Sequence, residues 1–330
     1  MAKYCVIGSN AFSGQDFVDL LLDDPAKDVI GISRSPEKPD FLLRYKARKD
    51  LSRFRFHQFD LNGDANAFLA FLDQERPEYI VNFAAQSEVG PSWEHPEHWF
   101  QTNAASFALF VNHLRRVDYV KKYLHVSSPE VYGNCVGTIR EDARMNPSTP
   151  YAASKAAADM ILDVYRRQFN LPVMSVRATN VYGARQQLFK IAMRAIIYIK
   201  TKRTIRLDGG GVAVKSYIHV RDVSRGELAM LERGQLGELY HLSPDAGVAV
   251  KDFVRMIAER LGADFNKVVE TGPERPGQDA AYVIDSTKAR ATLGWKPEID
   301  LVAGLDECVS WVDANWSAIL ASSHDYIHKA

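Results

Sequence analysis

Tyr4-Cys5-Val6-Ile7-Gly8-Ser9-Asn10-Ala11-Phe12-Ser13-Gly14 reads as a short apolar run, a turn of small residues and the start of a helix. Phe17, Val18, Leu20, Leu21 and Leu22 continue the helical spacing over residues 15–22. Strand, turn and helix in that order make a βα unit. Glycines at both ends of the turn let the backbone approach a diphosphate at the helix N-terminus. Gly8 permits the sharp turn and Gly14 permits close helix–sheet packing. Ala11 stands at the middle position, where such turns usually have a third glycine, and Ala11, Phe12 and Ser13 complete the candidate cradle.

The alternation continues outward from this unit. Short β-branched or aromatic runs at 29–32, 54–59, 79–83, 123–126 and 173–176 alternate with helical patterns at 65–74, 104–114 and 151–169. Strands separated by helices of this length imply right-handed βαβ units and a mostly parallel sheet. After Tyr182 the rhythm breaks into strand-like pieces at 204–207, 216–220 and 238–242 and helices at 251–261 and 301–316, with a tight Gly209-Gly210-Gly211 loop. The expected fold is α/β, a Rossmann-type doubly wound parallel sheet (residues 1–182) with a smaller mixed α/β C-terminal substrate lobe (residues 183–330). Some chain is expected to cross between the two.

The chain has 330 residues, 41 Lys+Arg against 41 Asp+Glu, and 46% hydrophobic residues. A net charge of zero argues against non-specific neutralisation of nucleic-acid phosphates. Cys5, Cys135 and Cys308 are odd in number and far apart, with no CxxC and no Cys/His cluster, so neither a disulfide framework nor a zinc site of that kind is expected. The opening residues lack an apolar stretch of signal-peptide length. The apolar run 195–199 is far short of the ~20 residues that cross a bilayer. The expected location is cytoplasmic, with no membrane contact, no nucleic acid and no metal.

The end of the second strand bears on the cofactor. A carboxylate there would bond adenosine ribose hydroxyls, whereas an arginine would pair with a 2′-phosphate. The sequence has Ser33-Arg34-Ser35 and no acid, which favours NADP over NAD. The chain also has three Tyr-x-x-x-Lys pairs, so the spacing by itself selects none of them. In each, a helix would bring the ammonium onto the face of the phenol, where it can stabilise a phenolate base. Tyr45/Lys49 lies in a charge-rich stretch expected to be a solvated face, and Tyr198/Lys202 reads as core plus helix end. Tyr151/Lys155 opens a helix after Asn146-Pro147-Ser148-Thr149-Pro150. It also follows a strand ending in the polar loop Ser127-Ser128-Pro129-Glu130-Val131-Tyr132-Gly133, which in a parallel sheet faces the same edge as the glycine turn.

Over nearly its whole length the sequence resembles the extended short-chain dehydrogenase/reductases acting on nucleotide sugars, and within them the NDP-hexose 4,6-dehydratases. The resemblance rests on Gly8…Gly14, Asp60-Leu61, Asn82-Phe-Ala84-Ala85-Gln-Ser87, Thr102-Asn103, Ser127-Ser128-x-Glu130-Val-Tyr-Gly133 and Tyr151-x-x-x-Lys155. It continues through Arg177-x-x-Asn180-Val-Tyr-Gly183, Arg275-Pro-Gly277-x-Asp279 and Leu293-Gly-Trp295-Lys-Pro297. The 86–97 segment and Arg34 look like GDP-mannose 4,6-dehydratases, whereas 275–279 looks like dTDP-glucose 4,6-dehydratases. The nucleotide therefore stays open between GDP and dTDP.

The resemblance implies that Tyr151 removes the sugar C4 hydroxyl proton as hydride leaves C4, with Lys155 and Ser128 in support. The C4 ketone acidifies C5–H, Glu130 takes that proton, water leaves from C6, and hydride returns at C6. Pro129 stands where dTDP-glucose dehydratases carry an aspartate, and Glu88 where a histidine is usual. A 4-epimerase or an NDP-uronate decarboxylase on the same scaffold is the nearest alternative, and a non-catalytic NADP sensor is the alternative from another class. The resemblance further places Asp60, Leu61, Ala84 and Ala85 on the cofactor. It places Ser87, Glu88, Asn180, Lys215 and Arg275 on the nucleotide sugar. Trp93, Trp99 and Trp311 are expected to pack helices. Relatives dimerise through a four-helix bundle, here 104–114 and 151–169. Their apolar residues Phe107, Phe110, Val111, Ile161 and Val164 would meet a partner or face the sheet.

Overall fold

The first strand, β1 (Ala2–Ile7), sends Tyr4 and Val6 into one apolar layer and Cys5 and Ile7 into another. That period of two, with both faces buried, is what a central parallel strand requires. The computed structural model describes residues 1–135, 137–274, 276–277 and 281–329. β1 pairs on one side with β2 (Lys27–Ser33) and on the other with β4 (Tyr79–Asn82), Ile7 lying opposite both Ile32 and Asn82. β3 (Phe54–Gln58) lies beyond β2, and β5 (Lys122–Val126) and β6 (Val173–Ala178) lie beyond β4. Every pairing is parallel. The strand Leu239–Leu242 closes the sheet against β6, so chain from beyond residue 182 completes the first layer. The strand order reverses between β1 and β4, which opens a crevice at the carboxyl ends of those strands.

Helices α1 (Phe12–Leu21) and α2 (Ala65–Glu75) match their sequence patterns closely. The predicted helix 104–114 differs. Two short helices, α3 (Val89–Glu94) and α4 (Pro96–Phe100), lead into a π-helical turn at Gln101–Ser106, and only then does α5 (Phe107–Leu114) run regularly. A π turn holds one extra residue per turn and often marks a site. Asn103 lies within it, giving 2.9 Å bonds to the Gln86 carbonyl and Ser154 Oγ and accepting one of 2.9 Å from Gln86 N. α6 (Pro150–Phe169) starts where the Thr149 hydroxyl accepts from Ala152 N and Pro150 fills the first position, where no N–H is needed. It stops at Asn170 in the left-handed conformation.

The second lobe packs around Tyr182, Met193, Ile196, Phe253, Leu305 and Trp311. Its helix α7 (Ile191–Lys200) was anticipated only at its end, around Tyr198, and α8 (Val220–Arg233) was not anticipated as a helix. The predicted strand 216–220 is only Tyr217–His219, because the His219 side chain accepts from Arg221 N and begins α8. α8 packs across the sheet beside α1, its Ser224 hydroxyl donating to the buried Asp16 carboxylate at 2.8 Å.

Two expectations about side chains, those for Tyr45 and Trp93, need correction, and one left open is resolved for Phe107, Phe110 and Val111. Tyr45 is fully buried in a 3-10 turn, its hydroxyl donating to Glu37 at 2.8 Å, because Arg44, Lys46 and Arg48 are drawn into ion pairs with Asp16, Glu37 and Asp19. Trp99 and Trp311 are buried, but Trp93 is exposed. Phe107, Phe110 and Val111 face the sheet core; the outward apolar residues of the two long helices are Leu109, Met160 and Val164. Among the described residues, all three cysteines are buried thiols, and no helix is long and apolar enough to cross a membrane.

Candidate active site at the strand crossover

The glycine turn brings three backbone segments into contact. Gly8 has φ +87°, and a methyl group there would lie 2.7 Å from Ala84 N at the end of β4. A methyl at Gly14 would lie 2.2 Å from the Gly8 carbonyl oxygen. Both positions therefore exclude any side chain. Asn10 ties the turn to the loop after β2: Asn10 N donates to Ser33 Oγ at 2.9 Å, and its side-chain amide donates to the Ser35 and Pro36 carbonyls at 3.0 and 2.8 Å.

Above this floor lies a cavity of about 320 Å³. Of the residues expected on the cofactor, Gly8, Ala11, Arg34, Asp60, Leu61, Ala84 and Ala85 line it; Phe12, Ser13 and Gly14 lie behind the turn. Ser87 and Glu88 line the same cavity. The shape suits a dinucleotide: a side-chain-free backbone cradle at the start of α1 for the diphosphate, and Ser33 and Arg34 at the end of β2 for the adenosine ribose. Two features escaped the sequence reading. Lys38 joins the lining, and so do Tyr326, Ile327 and Lys329 from the end of the chain. The Lys329 carbonyl accepts from Gln86 Nε2 at 2.6 Å and from Arg34 at 3.3 Å, while Lys329 Nζ donates to Ser35 Oγ at 3.2 Å. Contacts across nearly three hundred residues leave no periodic trace in a sequence.

The polar loop after β5 and the start of α6 meet beside this cavity. Ser128 accepts from Glu130 N at 3.2 Å and so caps the 3-10 turn Pro129–Tyr132 that holds the Glu130 carboxyl. Gly133 closes the loop at φ +68°, where a methyl would strike the Asn146 carbonyl oxygen at 2.2 Å. Tyr151, in the first turn of α6, is buried. Burial and the nearby Glu130 carboxylate raise its phenol above the usual tyrosine range, and a hydrogen bond with Ser128 opposes them. Lys155 is buried one turn further on, its ammonium donating to the Val126 carbonyl at 2.8 Å. It lines a small space that shares Ile7, Leu61, Ala84 and Thr102 with the large cavity.

A buried ion pair supports Lys155 from below. Asp159, one turn further along α6, accepts from Arg177 of β6 and from Ser127 Oγ, each at 2.6 Å. The Arg177 guanidinium lies 4.5 Å from the centre of the Tyr132 ring. Burial lowers Lys155 to about 8, the Asp159 carboxylate working against that shift and Arg177 adding to it.

The other expected residues are placed as follows. Glu88 pairs with Lys190 at 2.6 Å, which neutralises the unusual carboxylate at the cavity wall. Asn180 N donates to Ser216 O at 3.0 Å, so Asn180 and the Lys215 segment are neighbours. Arg275 lies outside the described residues.

A crossover crevice with a glycine cradle, flanked by Ser from the loop after β5 and Tyr and Lys from α6, defines a Rossmann-type nucleotide-binding fold of the short-chain dehydrogenase/reductase class. The sequence profile of the GDP-mannose 4,6 dehydratase family matches residues 5–308, and the chain belongs to that family. It is 30% identical over 313 residues to a dTDP-glucose 4,6-dehydratase of Streptomyces griseus, covering 93% of this chain and 92% of that one. The structure of DesIV, a dTDP-glucose 4,6-dehydratase from Streptomyces venezuelae solved with NAD bound, superposes with a TM-score of 0.88 at 28% identity, covering 96% of this chain and 98% of that one. A UDP-glucuronic acid 4-epimerase from Bacillus cereus superposes with a TM-score of 0.86 at 24% identity, covering 94% of this chain and 99% of that one; this likeness is one of fold.

The Lys155 environment sets a pH dependence. Below about 8 the Lys155 ammonium is charged and above it neutral, so any support it gave a phenolate at Tyr151 would be lost above that pH. Initial rates across pH should therefore show kcat/KM falling as pH rises through about 8. Asp159→Asn removes the carboxylate that holds the proton on Lys155, so it should move this alkaline limb to lower pH.

Proposed function

We propose that the chain is a nicotinamide-dependent nucleotide-sugar 4,6-dehydratase, giving an NDP-4-keto-6-deoxyhexose. The observation that carries this reading is the position of Glu130. Its carboxyl is held on the Ser128-capped turn close enough to Tyr151 to raise that phenol. A C4 oxidation needs only Tyr151, Ser128 and Lys155; a second base beside them serves a second deprotonation, at C5. Family membership and the 30% and 28% identities to dTDP-glucose 4,6-dehydratases support the same reading.

In this mechanism Tyr151 accepts the C4 hydroxyl proton, Ser128 orients that hydroxyl, and charged Lys155 stabilises the phenolate. A nicotinamide bound in the cleft supplies one hydride acceptor at C4 and the same hydride at C6. Glu130 then removes the proton at C5, which the C4 ketone has acidified. With proline at position 129, Glu130 also hands that proton to the departing C6 hydroxyl. As hydride arrives at C6, Tyr151 gives its proton, exchangeable with solvent, to C5, and both side chains end as they began. The sequence is redox-neutral: one water leaves and the cofactor ends as it began.

The division of labour follows the crevice, with residues 1–182 holding the dinucleotide and residues 183–330 forming the lobe that closes over the nucleotide sugar. Ser87, Glu88, Asn180, Lys215 and Arg275 are its proposed contacts, and the nucleotide is of the dTDP or GDP type. NADP is preferred to NAD, because Ser33-Arg34-Ser35 offers a cation and hydroxyls and no carboxylate at the end of β2. The enzyme is cytoplasmic and dimeric. Leu109 at 57%, Met160 at 56% and Val164 at 53% exposure put an apolar stripe on two adjacent helices, as a four-helix bundle needs.

Incubation with dTDP-, GDP-, UDP- and CDP-hexoses and cofactor, read by mass spectrometry, tests the function. Loss of one water is expected from a dTDP- or GDP-hexose. An unchanged mass with altered retention would mean epimerisation, loss of carbon dioxide decarboxylation, and no turnover of any sugar a sensor; each would overturn the reading. Glu130→Gln should slow water loss by ~10²–10⁴-fold while C4 oxidation, seen as reduced cofactor, persists. Arg34→Ala should weaken NADP binding by ~10–100-fold, the scale of one charged hydrogen bond, and leave NAD binding nearly unchanged. Equal loss for both cofactors would contradict the NADP preference.

A further inference from the structure

Away from the catalytic groups, three imidazoles and a carboxylate converge on α4. Among the described residues, His95, Glu97 and His98 form the one group of histidine, cysteine and carboxylate side chains whose ligand atoms lie within 4.8 Å of one another. Glu97 Oε1 is 3.9 Å from His95 Nδ1 and 3.6 Å from His98 Nε2. Tetrahedral zinc at bond lengths near 2.1 Å separates its ligand atoms by about 3.4 Å. The side chains of His95 and Glu97 are 48% and 66% exposed, so they can close that difference by small rotations.

The fourth partner comes from the other end of the chain. His328 Nε2 lies 2.8 Å from His98 Nδ1, and His328 Nδ1 lies 3.1 Å from Tyr326 Oη. If His98 Nδ1–H donates to His328, the His98 Nε2 lone pair is left facing Glu97. His328 then donates onward to Tyr326. This is the outer-shell arrangement that fixes tautomer and ring orientation in metal-binding histidines. The rings form one stack: His328 lies against His95 at 5.0 Å and 6°, and against the buried Trp99 at 5.4 Å and 5°.

We propose that His95, Glu97 and His98 form a binding site for a divalent transition metal of the zinc class, and that His328 is its outer-shell positioning residue. Two imidazoles and one carboxylate are the donor set zinc takes when three protein ligands leave a coordination position to water. Since His328 lies between Tyr326 and Lys329, which border the cofactor cavity, the bound ion fastens the C-terminal segment beside that cavity.

The test is calorimetric titration of zinc into the untagged full-length chain after chelation and dialysis, with hydrogen exchange of residues 322–329 followed in parallel. The expected result is one saturable ion per chain and slower exchange of those residues when it is bound. His328→Ala should weaken binding by ~10–100-fold. His95→Ala and Glu97→Gln, both at exposed positions, should weaken it further while leaving the fold intact by circular dichroism. No saturable zinc binding, or binding equal in wild type, His95→Ala and Glu97→Gln, would overturn the site. Unchanged affinity in His328→Ala, or unchanged exchange at the C-terminus, would overturn the outer-shell role.

Discussion

Backbone touching backbone at the glycine turn is the constraint on which the rest of the structure depends. Gly14 lies against the Gly8 carbonyl, and Gly8 lies against Ala84 at the end of β4. No side chain fits at either contact, so β1, α1 and the end of β4 are locked into one rigid corner. From that corner the cavity takes its floor and α1 takes its direction. The sheet order reverses beside it, so the polar loop after β5 and the start of α6 open onto the same edge.

The edge where the loop after β5 meets α6 rests on a second constraint, which is electrostatic. Lys155 is buried and would tend to shed its proton; the Asp159–Arg177 pair beneath it supplies both a carboxylate that retains the proton and a guanidinium that opposes it. Its balance near 8 keeps Lys155 charged at neutral pH, one helical turn along from Tyr151, as the proposed phenolate would require. Burial of that ion pair is costly by itself; the Ser127 hydroxyl on Asp159 Oδ2 and the Tyr132 ring against Arg177 offset part of that cost, while buried Asp159 Oδ1 has no hydrogen-bond partner among the described residues.

Much of this was legible in the sequence because it is local. A period of two in β1, a helix after Gly14 and a capped helix opening on Pro150-Tyr151 each leave their mark within a dozen residues. Separating Tyr151/Lys155 from the other two Tyr-x-x-x-Lys pairs needed only the neighbouring strand-end loop. What was not legible is long-range. Tyr45 looked solvated because its neighbours are charged, yet those charges pair with acids on α1 and in the loop after β2 and draw the ring inside. The strand 239–242 carries no sign that it pairs with β6. His328 meets His98 across 230 residues, and Lys329 meets Arg34 across 295. His95, Glu97 and His98 stand within four residues of one another, but the His328 contact that orients His98 leaves no trace in the sequence.

The central claim is that a single hydride leaves C4 and returns to C6 of the same sugar, with Tyr151 and Glu130 moving the protons. It is tested most directly with dTDP-glucose or GDP-mannose carrying deuterium at C4, the product being read by NMR. The account predicts deuterium at C6 of a 4-keto-6-deoxy product, with solvent hydrogen entering at C5. Deuterium that stays at C4, or is lost to solvent, would contradict it.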